Sequence, residues 1–492
     1  MTVLEVQREA AHANLKPTAV IGYGLGDFAN NLAFTLGASF LLYYYTDVAG
    51  LTAASVGTMF LVVRLWDAVA DLLAGRLVDR TNTRWGKFRP FILFGAVPLL
   101  FLSFLSFHVP DSSTTTKLVY AYLTYAALGL VYSLVNIPYG SLASAMTQSV
   151  HQRAKLVAAR SLGAAVGGIV LTFIISPMIS SLQADKDSLS PEQYLGRAQG
   201  IFTWTTLSFV VIGSLAYLLT FLWCHERVVR VQPRVTIRET FATLRSNKPL
   251  AYLCGASFFY LTGLFAVSGA TLFYAQYVLG DAAWAVPMVI VNSGIQIVVT
   301  PFIPKLIGLI GKKAVFQYCG LLTVIGGVGL FLVPDGGVFL ALVFLGIKGV
   351  GASLINTVMF GLEADTVEYG EWKSGQRSEG ATYAIFSFTR KITQSIGGAA
   401  TAWALAIGGY LAATKAIPHP VQPESALTMI KMTMGLVPAV CAIIAMLIFV
   451  KYPLTDDAYK QIRDETEARK AQLDNLVIPD QPAGLVLPAT ER

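Results

Sequence analysis

The stretch "LVVRLWDAVADLLAG", residues 61–75, is apolar except for Arg64, Asp67 and Asp71. On a helix of about 3.6 residues per turn these three side chains share one face. Carboxylates placed four residues apart in so apolar a segment need partners, whether the segment lies in a protein core or in a bilayer. The rest of the chain decides between the two settings. Of 492 residues, 54% are hydrophobic and only 13% are charged, against about 25% charged in soluble globular proteins. Apolar runs of about 20 residues recur along the whole length, each long enough to cross a bilayer. They are continuously apolar rather than alternating, which disfavours a membrane β-barrel. The expected class is an all-α membrane protein.

The net charge of +7 does not point to nucleic acid, because the basic residues sit in short loops between spans, as positive-inside sorting requires. Cys224, Cys254, Cys319 and Cys441 lie in or beside apolar segments, with no CxxC or Cys/His metal spacing, and read as ordinary buried thiols. The first 16 residues, "MTVLEVQREAAHANLK", lack an apolar signal core, so the first span is expected to act as the insertion signal.

Twelve spans are expected near 19–45, 53–78, 90–108, 118–146, 156–181, 200–224, 250–278, 284–308, 314–333, 337–362, 380–412 and 430–451. One set of loops holds "DRTNTRWGKFR", "HQRAK", the stretch 227–248, "GKK" and "EYGEWKSGQR". The other holds "TDVAGLT", "VPDSSTTTK", "QADKDSLSPEQ", "GDAA", "PDGG" and "IPHPVQPES". The first set is far richer in Lys and Arg and is expected to be cytoplasmic, which puts both termini inside. The longest basic linker splits the chain into a tail (1–18), a six-span bundle (19–224), a linker (225–249), a second six-span bundle (250–452) and a tail (453–492). A weak repeat supports the split: "GRLVDRTNTRWGKFR" follows span two and "PKLIGLIGKKAVF" follows span eight. Two such halves fit the major facilitator architecture, with its site at mid-membrane between them.

Charged groups at membrane depth are costly and usually face the bundle interior or a watery cavity. Arg64 neutralises one of the two acids on span two. The other needs a metal cation, a proton, or a distant Lys or Arg. Oxygen ligands on one face suit a hard cation, and burial suits a proton, so either outcome makes Asp67 and Asp71 a coupling-ion site. Other polar residues inside spans are Asp27, Asn30 and Asn31 in span one; Ser133, Asn136 and Tyr139 in span four; Arg160 in span five; Lys348 and Asn356 in span ten; and Arg390 with Lys391 in span eleven. For Asn30 and Ser133, cross-helix bonding competes with a functional role. Adjacent Arg390 and Lys391 point to different faces, so at least one aims inward. Lys348 has no obvious partner. The glycine runs "VGGI" and "GGAA" mark close helix packing. "GYGLGD" begins a span with no preceding strand and is no dinucleotide loop. HExxH, GxSxG and Walker patterns are absent from the sequence, which disfavours an enzyme or an ATP-driven pump.

"YYYTDVAGL", "RLWDAVAD", "DRTNTRWGKFRPF", "NIPYGSL" and "EADTVEYGEWKSGQRSEGATYAIFSFTRK" together resemble the glycoside–pentoside–hexuronide:cation symporters, from Gly22 to Pro453. Within that family, "GDFANN", "KFRPFILFG", "YAYLTY", "SLVNIPYGSLA", "LEADTVEYGE" and "SFTRK" are most similar to the bacterial glucuronide carriers. The resemblance implies a bacterial inner-membrane location and an importer with no cofactor beyond co-transported H+ or Na+. It places Asp67 and Asp71 at the two cation-site aspartates, Ser133 at a cation-ligand position, Lys391 beside that site, and Arg160 at a sugar-contacting arginine. Three departures matter. Ala70 stands where sodium-using melibiose carriers have an Asn ligand, which favours H+ over Na+. Asn31 and Asn136 stand at two sugar-contacting aspartates. Gly140 replaces a sugar-stacking Trp.

A glucuronide carries its own carboxylate. Two like charges about 4 Å apart repel by about 4 kcal/mol at an effective dielectric of about 20. Asn keeps the hydrogen bonds and removes that repulsion, leaving Arg160 or Arg390 to pair with the substrate. The expected substrate set is Asp27, Asn31, Asn136, Tyr139, Arg160, Asn356 and Arg390. A cytoplasmic gate is expected to pair Arg80, Arg84 and Arg89 with the cluster Glu363, Asp365, Glu368, Glu371, Arg377 and Glu379 when the inner side is shut. The competing readings are a Na+- or H+-coupled carrier of neutral glycosides or pentosides, a lysolipid carrier with Lys348 at the head group, and a membrane sensor. The expected partners are the bilayer and a small glycoside, with the chain acting as a monomer.

Overall fold

The computed structural model describes residues 14–147, 149–227, 244–375 and 379–477. Six long helices precede the linker: α1 (Pro17–Tyr43), α2 (Ala53–Arg80), α3 (Arg89–Ser106), α4 (Thr114–Met146), α5 (Val150–Ala184) and α6 (Pro191–Trp223). Six crossings follow it: α7 (Lys248–Tyr277), α8 (Ala282–Ile310), α9 (Lys312–Leu332), α10 (Val338–Ser374), α11 (Glu379–Ile407) and α12 (Glu424–Val450). A further helix, α13 (Asp456–Val477), ends the described chain. Most of the expected linker lies outside the described residues.

Among the described residues nine helices, α3 to α10 and α12, are long and apolar enough to cross a membrane. The other three crossings are interrupted by closely spaced polar residues: Asp27, Asn30 and Asn31 on α1, Arg64, Asp67 and Asp71 on α2, and Arg390 and Lys391 on α11. Helix boundaries follow capping chemistry. Thr52, Ser113, Ser149 and Ser190 accept from the first turns of α2, α4, α5 and α6. Ser190 and Gln193 form a capping box with Pro191 at the first position, so α6 starts well before the expected residue 200. α10 runs past the expected 362 to Ser374 and stops at Gly375 in the left-handed region (φ 71). α8 narrows to a 3-10 turn at Thr300–Phe302, where Pro301 and Pro304 lack the N–H that an α-helix needs. α12 is broken at Gly435.

α1 packs on α5 and α6, and α4 on α2 and α3. In the second half α7 packs on α11 and α12, and α10 on α8 and α9. The expected close approaches occur at Gly167, where a Cβ would lie 3.1 Å from the Phe28 carbonyl, and at Gly397, 2.7 Å from the Thr262 carbonyl. The halves meet through α1 with α7, α2 with α11, and α5 with α8. The last two pairs are equivalent when the halves are exchanged, as an internal repeat requires. Between the halves lies a cavity of about 1360 Å³.

The cavity is shut on the face opposite the Lys/Arg-rich loops. There one continuous apolar core joins both halves, including Tyr43, Phe202, Phe273 and Leu405. A π-helical turn, Tyr44–Val48, carries Asp47 into the joint. Asp47 Oδ1 accepts from Tyr410 Oη (2.7 Å) and, more weakly, from Tyr277 Oη (3.5 Å). Thr46 Oγ1 donates to its Oδ2 at 2.5 Å. The Ala413 amide donates to the Thr46 carbonyl (3.0 Å), and Lys415 pairs with Asp111 (2.6 Å). On the Lys/Arg-rich face the second half has a separate apolar core of its own, built around Leu253, Phe316 and Phe449.

Burial raises the Asp47 carboxyl to about 6, opposed by its hydrogen bonds from Thr46, Tyr410 and Tyr277. A solvated Asp titrates near about 4, so the closed joint binds the proton more tightly than the open one. Closure is therefore favoured as pH falls from about 6 toward 4 and disfavoured above 6. Spin labels at Ser112 and Thr414 should report more of the short, closed distance at pH 5 than at pH 7. Asp47→Asn should flatten that dependence. Asp47→Ala, which strips the Thr46, Tyr277 and Tyr410 hydroxyls of an acceptor, should open the joint by about 1–3 kcal/mol.

Candidate functional site

The acid pair on α2 faces the seam between the halves. Arg64 Nη1 pairs with Asp67 Oδ2 at 3.2 Å. The Arg64 guanidinium lies against Phe34 and Tyr125, 5.7 and 5.9 Å from their ring centres. Asp67 Oδ1 is buried without a hydrogen-bond partner and abuts Gly129, where any side chain would collide with it. Asp71 pairs with Lys391 of α11. The counter-charge that the sequence left open is thus a lysine from the other half, and the ion pair ties α2 to α11. Ser133 donates to the Gly129 carbonyl at 3.0 Å, one turn along α4 from the glycine that touches Asp67. No group of three His, Cys, Asp or Glu that could hold a metal ion occurs among the described residues.

A second layer is built on α1, α4 and α5. Arg160 Nε pairs with Asp27 Oδ1 at 3.2 Å, and both line the central cavity. Behind them, Tyr139 stacks on Tyr23 with centroids 4.7 Å apart and donates to the Tyr23 carbonyl at 2.5 Å. Arg160 lies 5.4 Å from the Tyr139 ring centre. Tyr139 is fully buried, so it positions Arg160 and does not line the cavity. The two asparagines expected at the sugar also sit in supporting roles. Asn31 donates to the Asp27 carbonyl (2.8 Å) and accepts from Thr35 (2.9 Å). Asn136 accepts from Asn30 (2.7 Å), which in turn accepts from Tyr217 (2.8 Å).

The second half supplies Asn356, Glu363 and Arg390 to the same cavity. The Arg390 guanidinium stacks 4.7 Å from the Phe360 ring centre, and its Nη1 is buried with no hydrogen-bond partner. The expected gate residues are engaged within their own halves. Arg89 donates to the Phe221 carbonyl (2.6 Å), Arg84 lies over Trp85 (4.5 Å), and Arg80 is exposed. Asp365 pairs with Lys312 at 2.6 Å. Glu363 and Glu368 each keep one buried oxygen unpartnered, Glu371 is buried, and Arg377 lies outside the described residues.

Two features escaped the sequence. Asp47 read as a loop acid in "TDVAGLT". Asn292 and Gln296 of α8 line the cavity and were not among the expected site residues. No period or motif singles them out, because what brings them to the cavity is the place of α8 in the packing.

The family described as MFS/sugar transport protein matches residues 22–456. The glucuronide carrier protein homolog of Escherichia coli (strain K12) is 45% identical over 460 residues, covering 93% of this chain and 97% of that protein. The isoprimeverose transporter of Lactiplantibacillus pentosus is 33% identical over 480 residues, covering 96% and 95%. Among solved structures, a bacterial homolog of the human lysosomal transporter Spinster, inward-facing and unoccupied, superposes with a TM-score of 0.60 at 12% identity, covering 90% of this chain and 99% of that one. That likeness concerns the fold.

The Asp27–Arg160 pair lends itself to a double-mutant cycle. Asp27→Ala should lower the melting temperature by leaving Arg160 unpaired in the cavity wall. Adding Arg160→Ala should recover part of the loss, with a coupling of about 0.5–3 kcal/mol, toward the low end because cavity water reaches Arg160. A coupling near zero would show that the two side chains act independently.

Proposed function

Because the chain belongs to the MFS/sugar transport protein family, we propose that it is a secondary active symporter that imports a glucuronide together with a proton by alternating access between its halves. The observation that carries this reading is the Asp71–Lys391 ion pair, which crosses from one half to the other beside the cavity. A proton on Asp71 removes the attraction that holds Lys391, so binding of the coupling ion and release of an inter-half tie are one event. Restoring a bare carboxylate at that depth is costly without its lysine, which resists movement of the unprotonated carrier. Ala70, which offers no side-chain oxygen between the two acids, favours the proton over sodium.

The substrate assignment draws on the 45% identity to a glucuronide carrier homolog and on the donors of the cavity. Arg160 is already engaged by Asp27, whereas Arg390 Nη1 waits unpartnered to donate to substrate oxygens. The arrangement with one face shut and the Lys/Arg-rich face apart corresponds to an inward-facing form in a bacterial inner membrane, both termini in the cytoplasm. In the opposite form, Arg84 and its neighbours meet Glu363 and Glu368, whose unpartnered oxygens are then satisfied.

Proteoliposomes given an inward proton gradient should accumulate labelled phenyl β-glucuronide, indifferent to sodium and abolished by a protonophore. Asp71→Asn should cut concentrative uptake by at least about tenfold, the price of a lost charge-linked step of about 1.4 kcal/mol or more. Uptake that needs sodium, or that survives Asp71→Asn, refutes the coupling scheme. Arg84→Glu should slow transport, and an unchanged rate would dismiss the gate.

A further inference from the structure

Among the described residues, five charged side chains line the central cavity: Asp27, Arg160, Lys348, Glu363 and Arg390. That is three cations against two carboxylates, an excess of one positive charge. Asp27 and Arg160 are paired at 3.2 Å, and Glu363 interacts electrostatically with Arg390. The remaining charge is Lys348. We infer that Lys348, at the closed end of the cavity, is the anchor for the carboxylate of a monoanionic sugar acid and so sets the class of substrate. The inference rests on the transport reading above and assigns the anionic end of the substrate within the same site.

Lys348 lies ten residues into α10, about 15 Å from its closed-face end at 1.5 Å per residue. Its side chain is 3% exposed. Its one hydrogen bond among the described residues runs from Nζ to the Met434 carbonyl, at 3.3 Å. An ammonium has three donors, and a buried charge needs more than one neutral partner. Met434 is the last residue before the break in α12 at Gly435. A helix end of this kind carries partial negative charge and open carbonyls, which favour the charged ammonium and leave its other protons for a ligand.

The surroundings are rigid and polar on the cavity side. A Cβ on Gly326 of α9 would meet the Lys348 backbone nitrogen at 2.5 Å and its Cβ at 2.7 Å, so the lysine is held by direct backbone approach. Gly349 would meet Ile295 of α8 at 3.5 Å, which sets α8 level with it. Asn292 and Gln296, on either side of Ile295, line the same cavity and offer amides to sugar hydroxyls. A carboxylate on Lys348 brings the sum of these five cavity charges to zero, apart from the proton carried at Asp71. A neutral glycoside leaves the excess in place, which is costly at membrane depth.

Counterflow in proteoliposomes separates the cases, with phenyl β-glucuronide and phenyl β-glucoside as probes. Lys348→Gln should raise KM for the glucuronide at least tenfold, about 1.4 kcal/mol, with a smaller change in maximal rate, and should move preference toward the glucoside. Lys348→Arg, which keeps the charge, should retain most of the glucuronide affinity. Lys348→Met, which keeps the shape of the stem, should behave as Lys348→Gln and covers the case of a poorly folded amide variant. The melting temperature of the wild type should rise on adding phenyl β-glucuronide, and that rise should vanish in the neutral variants. Neutral variants with wild-type KM and an intact ligand-induced rise overturn the assignment while glucuronide transport stands. A wild type that neither carries nor is stabilised by the glucuronide overturns both.

Discussion

A charge inside a bilayer must be answered by another charge, and this requirement organises the whole interior. Arg64 answers Asp67 on the same helix, Arg160 answers Asp27 between α5 and α1, and Lys391 answers Asp71 between α11 and α2. The three pairs differ in what they join. The first is local to one helix. The second fastens two helices of one half. The third spans both halves, so its making and breaking is coupled to their separation.

The same economy explains the closed face. Asp47 is buried where the halves meet, and no cation pairs with it. It is held by the hydroxyls of Thr46, Tyr277 and Tyr410. Neutral donors stabilise a carboxylate less than an ammonium does, and burial raises its pKa beyond what they offset. The joint is therefore held by an apolar core together with a group that titrates near neutrality, a combination that is firm yet can be released. On the other face the polar groups look inward to their own halves, as with Asp365 on Lys312 and Arg89 on the Phe221 carbonyl.

The cavity between these faces is positive by one charge, and its aromatic and amide furniture supports the cations. Tyr139 and Phe360 sit beside Arg160 and Arg390. Of the two asparagines expected at the sugar, Asn136 joins α4 to Asn30 of α1, and Asn31 hydrogen-bonds within α1 beside Asp27.

Much of this was legible without coordinates. Apolar length, the alternation of basic loops and the split at the linker specify two six-helix halves, because crossing a bilayer demands helices of a given length and sorting demands positive loops on one side. The pair Asp67 and Asp71 stood out because hydrocarbon penalises charge wherever it occurs along the chain. What the residues alone left open was the identity of partners: that Lys391 answers Asp71, that Tyr139 stands behind Arg160, that Asp47 closes a joint, and that Lys348 faces the cavity with no carboxylate beside it. A helical period tells which residues share a face. It cannot tell which helix from the other half will stand opposite, because that depends on the packing of all twelve.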